Sequence, residues 1–188
     1  PIYDPIRLEK VMSLIPTDAI FHEIKPEHKN KPLIGTHDGD FHVDEVLAIA
    51  MLRTLPEYKN AVVIRTRDIE VLKQCTIVVD VGAEYDPARN RFDHHQRGFD
   101  ETMDGYSTKL SSCGLWYKHF GKKLIQKMLS LKKISLDDIT FGRLYKIMYE
   151  VFVEHIDAND NGINFTDTEC NQQIISMLPR SEEHTSEL

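Results

Sequence analysis

Four short stretches of this 188-residue chain carry side chains that bind divalent cations: His37, His42 and Asp44; Asp80; the triplet Asp93-His94-His95; and Asp157. Each stretch follows, or nearly follows, an apolar run. If those runs are strands of one sheet, residues far apart in sequence meet at one edge of it. Carboxylates and imidazoles in such a cluster favour divalent metals, and two ions held close together are a standard device for breaking a phosphate ester.

Each stretch also has a plainer reading. Gly35-Thr36-His37-Asp38-Gly39-Asp40-Phe41-His42-Val43-Asp44-Glu45 lies between a predicted strand and a predicted helix, where ligands of open α/β sheets collect. Asp44 there serves equally as a helix cap. In Val78-Val79-Asp80-Val81-Gly82 an acid ends an apolar strand, and burial would oblige it to find a donor or a cation. Adjacent His94 and His95 on an extended segment point oppositely, so one can bind metal while the other meets substrate. Asp93 is placed to orient a histidine by accepting its second ring proton. Asp157 and Asp160, three apart, share a helix face. Both acids fall at the negative end of that helix, which calls for a compensating cation, unless they belong to a capping turn closed by Gly162.

The elements that must position these residues alternate strand and helix. Leu33 to Thr36 reads as a strand and Asp44 to Leu55 as a helix ended by Pro56. Ala61 to Thr66 is a second strand, and Asp68 caps a short helix reaching Cys75. The wholly apolar approach to Asp80 reads as a strand covered on both faces. A short strand is expected from Arg91 to His95, and residues 96–106 read as a loop. One helix is expected from Ser107 to Phe120 and a second through Leu129. The longest helical pattern, Asp137 to His155, carries an apolar stripe of Leu144, Ile147, Met148, Val151 and Phe152, widened by Tyr145 and Tyr149, and so reads as mostly buried. The fold class expected is α/β, a parallel sheet with flanking helices. Residues 1–32 read as an irregular lead-in.

Composition narrows the function classes. A net charge of −7 disfavours a protein that coats nucleic acid through a broad basic surface, though not an enzyme that captures phosphate through bound cations and a few arginines. Three cysteines without a CxxC pair argue against a disulfide scaffold or thiolate zinc site and fit a reducing, intracellular setting. Cys75 and Cys113 read as small core hydrophobes. No apolar run approaches the length of a membrane span.

Taken together, Gly-Thr-His-x-Gly-x-Phe-His-x-Asp-Glu, Val-Val-Asp-Val-Gly, Tyr85-Asp86-Pro87, Arg91-Phe92-Asp93-His94-His95-Gln96-Arg97 and Thr108-Lys109-Leu110-Ser111-Ser112 resemble the melanocyte-proliferating-gene family. They more broadly resemble the DHH superfamily of metal-dependent phosphoesterases. The resemblance covers about residues 33–178 and implies a DHH-like hydrolase with exonuclease activity. By position, it implies that His37, His42 and Asp80 hold one metal. Asp44, Asp80, His94 and Asp157 hold a second, with Asp80 bridging. It further implies that His95 faces the scissile phosphate, Asp93 supports it, and Arg97 and Lys109 contact phosphate.

The cofactors implied are two divalent cations, manganese first, with magnesium or zinc as alternatives. His42, where the superfamily usually has an acid, leaves that choice open. The mechanism implied is in-line attack of water on phosphorus without a covalent enzyme nucleophile. The expected substrate is RNA attacked 3′–5′, or another phosphodiester. A small-molecule phosphohydrolase and a catalytically silent metal-binding module are the competing readings. The resemblance also implies a location in nucleus and mitochondrion, and a C-terminal domain of the same chain beyond this stretch. Residues 180–188 break from the preceding pattern and match the translation of a common sequencing adapter, so they are set apart from the fold.

Overall fold

In the computed structural model, residues 20–163 are described. Their strands are β1 (Ile20–Phe21), β2 (Leu33–Thr36), β3 (Val62–Arg65), β4 (Ile77–Val79), β5 (Tyr85–Asp86) and β6 (Arg91–Phe92). These form one six-stranded sheet in the order β1-β3-β2-β4-β6-β5, parallel except for the antiparallel β5–β6 pair. The chain is an α/β protein.

The apolar runs are strands because both faces of the sheet are covered. Ile34, Ile77 and Val79 point to one side, into a core with Leu52, Leu115 and Trp116. Leu33, Ile64 and Val78 point to the other, against Leu72 and Cys75. The first core is roofed by α1 (Val43–Thr54) and α3 (Ser112–Leu131), and the second by the short α2 (Ile69–Leu72). Gly35 makes the second packing possible, since a Cβ there would fall 2.9 Å from Leu72 Cδ2. Cys75 and Cys113 are buried, as expected of core thiols.

Three expectations need correction. Residues 1–32 are not all irregular: β1 adds an edge strand beside β3, and His28 is buried with its ring 4.3 Å from that of Phe21. The two helices expected between Ser107 and Leu129 are one, and it begins at Ser112. Before it, Lys109 bridges to Thr102 in extended geometry. Gly121 does not interrupt α3, because its missing side chain makes room for the Tyr117 ring.

The third concerns the last helical stretch, which runs as α4 (Asp138–Met148), a π-turn (Tyr149–Val153) and α5 (Glu154–Asp160). The stripe read as buried is largely outside, with Ile147, Met148, Val151 and Phe152 all exposed. The inward face is Phe141, Tyr145, Tyr149, Val153 and Ile156, and Tyr145 stacks on Tyr117 at 4.9 Å. A wide turn shifts the phase of the residues after it, here bringing Asp157 and Asp160 inward, both buried. Residues 180–188, Cys170 and the rest of the stretch after 163 lie outside the described residues.

Candidate metal centre

The parallel strands deliver their following residues to one edge of the sheet. His37 follows β2, Asp80 follows β4 and Asp93 follows β6. Asp80 sits at φ +60, a left-handed conformation in which a non-glycine residue stores strain and which clusters at functional sites. The turn aims its carboxylate into the middle of the group. Asp80 Oδ2 lies 3.3 Å from His37 Nε2 and 3.8 Å from His42 Nδ1, while Oδ1 lies 3.3 Å from His94 Nε2. Around His94 Nε2 also stand Asp44 Oδ2 at 3.9 Å and Asp160 Oδ2 at 3.3 Å. Two donor sets therefore meet at Asp80: His37 with His42, and Asp44 with His94 and Asp160.

These side chains fit divalent cations. His37 Nε2, Asp44 Oδ1, Asp80 Oδ2 and His94 Nε2 are buried without a hydrogen-bond partner, an arrangement that is costly unless a cation compensates it. Burial, then the charges of Asp80, Asp160 and Glu45, push the Asp44 carboxyl well above its ordinary range. Burial also lifts Glu45, to about 7, against the pull of His37. Asp80 goes the other way: burial raises it, but the contacts from His37 and His94 and the His95 charge outweigh burial. One carboxylate is thus kept ionised among acids that repel, as suits a shared ligand.

The start of α3 closes the site from above. Ser112 donates from its backbone to Asp44 Oδ2 at 3.3 Å and from its hydroxyl to Asp80 Oδ1 at 3.2 Å. The positive end of a 20-residue helix thereby faces the acids.

Asp157 is not in this group. Its Oδ1 accepts from Ser111 N, Ser111 Oγ and Gly114 N at 3.0, 2.7 and 3.0 Å, and its Oδ2 accepts from Tyr149 Oη at 3.2 Å. With both oxygens occupied it is a tether between α5 and α3, and Asp160 is the acid of this helix that faces His94. The shared helix face was visible in the three-residue spacing, but spacing alone did not rank the two acids. Glu45, Ser112 and Arg65 were also missed as parts of the site. Glu45 and Ser112 sat inside the quoted motifs, whereas nothing in the strand 62–65 marked Arg65.

The residues expected around the metals are placed as follows. Asp93 Oδ1 accepts from His94 N, His95 N and His95 Nδ1, the last at 2.6 Å, and Oδ2 accepts from Ala83 N. That bond raises the His95 pKa. His95 is exposed on the wall of a cleft of ≈ 490 Å³ shared with His37, His42, Asp80 and Arg67. Arg67, tied to Asp38 at 3.1 Å, is a cleft cation that the sequence reading passed over. Lys109 Nζ stands 5.8 Å from the Phe99 ring, which itself meets His94 edge-on, so Lys109 flanks the cluster. Arg97 is exposed on the loop after it.

A family profile described as an uncharacterised protein family (UPF0160), the MYG1 exonuclease family, matches residues 33–184. The chain belongs to this family. It is 58% identical over 139 residues to human MYG1 exonuclease, a match covering 71% of this chain and 36% of the human protein. It is 51% identical over 132 residues to a MYG1 protein of Schizosaccharomyces pombe, covering 70% and 40%, and 49% identical over 142 residues to one of Saccharomyces cerevisiae, covering 75% and 41%. The matched stretch thus spans well under half the length of these MYG1 relatives. No solved structure matches. Among the described residues no helix is long and apolar enough to cross a membrane.

Proposed function

We propose that this chain carries the two-cation centre of a phosphodiester hydrolase, a 3′–5′ exonuclease acting on RNA. The observation that carries the reading is Asp80, whose two oxygens each lie 3.3 Å from a histidine of a different donor set. His37, His42 and Asp80 would hold one ion and Asp44, Asp80, His94 and Asp160 the other. The oxygen-rich second set favours manganese over zinc, and the imidazoles favour it over magnesium. Such a pair supplies Lewis-acid activation of water and stabilisation of the attacking and leaving oxygens.

The protein's own groups do the rest. His95, its Nδ1 fixed by Asp93, presents the far side of its ring to the cleft. Its raised pKa keeps it protonated over a wider range, so it hydrogen-bonds a phosphate oxygen. Arg67, Lys109 and Arg97 add positive charge around the mouth. In the longer relatives, the part outside the matched stretch would grip the substrate and exclude water, so the stretch alone binds metal without efficient turnover.

Full-length protein with manganese should shorten RNA from its 3′ end, and Asp80→Ala should abolish this while the protein stays folded. Preference for pyrophosphate over RNA would shift the reading to a small-molecule phosphohydrolase. Metal binding with no hydrolysis of RNA, single-stranded DNA or pyrophosphate would leave only a binding module.

A further inference from the structure

Between two histidines of the site stands Phe41, 66% exposed at the end of an exposed turn, 38–41. A single exposed apolar side chain is unremarkable by itself. What lies behind this one is not. The Arg65 guanidinium packs on the ring with its carbon 3.9 Å from the centroid. Arg65 is itself 5% exposed, donates from Nη2 to the Gly39 carbonyl, and sets Nη1 3.6 Å from Glu45 Oε1. Buried, with Nη2 on the Gly39 carbonyl and Nη1 facing Glu45, the guanidinium is turned inward rather than offered to a phosphate. It acts as a rigid backing that holds one face of Phe41 in place.

The platform belongs to the same sheet edge as the cluster, because Arg65 ends β3 and pairs in register with Thr36, the residue before His37. Beside it lies an apolar hollow of ≈ 70 Å³ that Phe41 and Arg65 share with Val46, Ile49, Ala50 and Val63. His42, the next residue, lines the larger cleft that also holds Arg67 and His95. An exposed aromatic ring beside an apolar hollow, next in sequence to a histidine of the candidate metal centre, matches one chemistry well: a nucleotide, with its base on the ring and its phosphate at that centre.

We propose that Phe41, backed by Arg65, is a stacking platform for a nucleobase of the substrate, a subsite that rests on the phosphodiesterase reading and extends it to base recognition. A cation behind the ring draws electron density from it, so the outer face suits the electron-rich face of a purine. Stacking of this kind tolerates sequence while adding affinity per base.

The test uses the full-length protein with calcium in place of manganese, and calorimetric binding of AMP and of ribose 5-phosphate, which lacks the base. Wild type should bind AMP about tenfold or more tightly than ribose 5-phosphate. Phe41→Ala should erase that gain without changing ribose 5-phosphate binding, and Phe41→Trp should keep it. Absent AMP binding, equal affinity for the two ligands, or a Phe41→Ala loss shared by both, would overturn the proposal. If the base-dependent gain holds while manganese-loaded protein cleaves no nucleic acid, the platform stands and the nuclease reading falls.

Discussion

Asp160 Oδ2 lies 3.3 Å from His94 Nε2, whereas Asp157, three residues earlier on the same helix, spends both oxygens on Ser111, Gly114 and Tyr149. The two acids should therefore fail differently. Asp160→Ala should lose manganese affinity and turnover in the full-length protein with little change in the melting temperature of the metal-free form. Asp157→Ala would strand buried donors and should cost about 3 kcal/mol or more of stability. Paired melting and metal-titration curves check this; the reverse assignment would restore Asp157 as the ligand.

Gly114 is required by that tether. A Cβ at this position would run into both carboxylate oxygens of Asp157, so the carboxylate must move or the helices must part. Gly114→Ala should destabilise by about 2 kcal/mol or more, read as a lowered melting temperature. An unchanged melting temperature would mean that the α3–α5 contact is looser than its hydrogen bonds imply.

Burial holds Glu45 and Asp157 at about 7, above their ordinary 4.5 and 3.8. Folded protein thus keeps protons that the unfolded chain releases, so this stability is full below the ordinary values and is lost as pH rises through 7. Asp80 does not oppose the trend: its lowered pKa contributes fully above 3.8 and is lost only in stronger acid. The metal-free chain should melt on the order of 5 °C lower at about pH 8 than at about pH 5. Manganese should flatten that slope by neutralising the acids. A metal-free melting temperature that rises across this window would contradict the burial argument.

The central strands and most of the centre were legible because strand ends in a parallel sheet share an edge. An apolar run followed by His37, Asp80 or Asp93 therefore carries its own placement. The last helix was misread for a physical reason. Its stripe of Ile147, Met148, Val151 and Phe152 has ordinary helical spacing, and a hydrophobic pattern does not reveal a π-turn at Tyr149–Val153 or which of two apolar faces is inward. Asp157 and Asp160, three apart on the helix after that turn, are both buried, so spacing alone does not separate their roles. Arg65 was invisible because a charged residue at the end of an apolar strand looks like a solvated terminus until its partners, Gly39, Glu45 and Phe41, are in place.

The central claim is that Asp80 joins two cation sites through its two oxygens. Electron paramagnetic resonance of the chain titrated with manganese tests it most directly. The account predicts a spin-coupled, multiline signal that grows to two ions per chain, and Asp80→Ala should abolish the coupling while the fold survives. Binding of a single ion, or of two ions giving only isolated six-line signals in the wild-type chain, would contradict it.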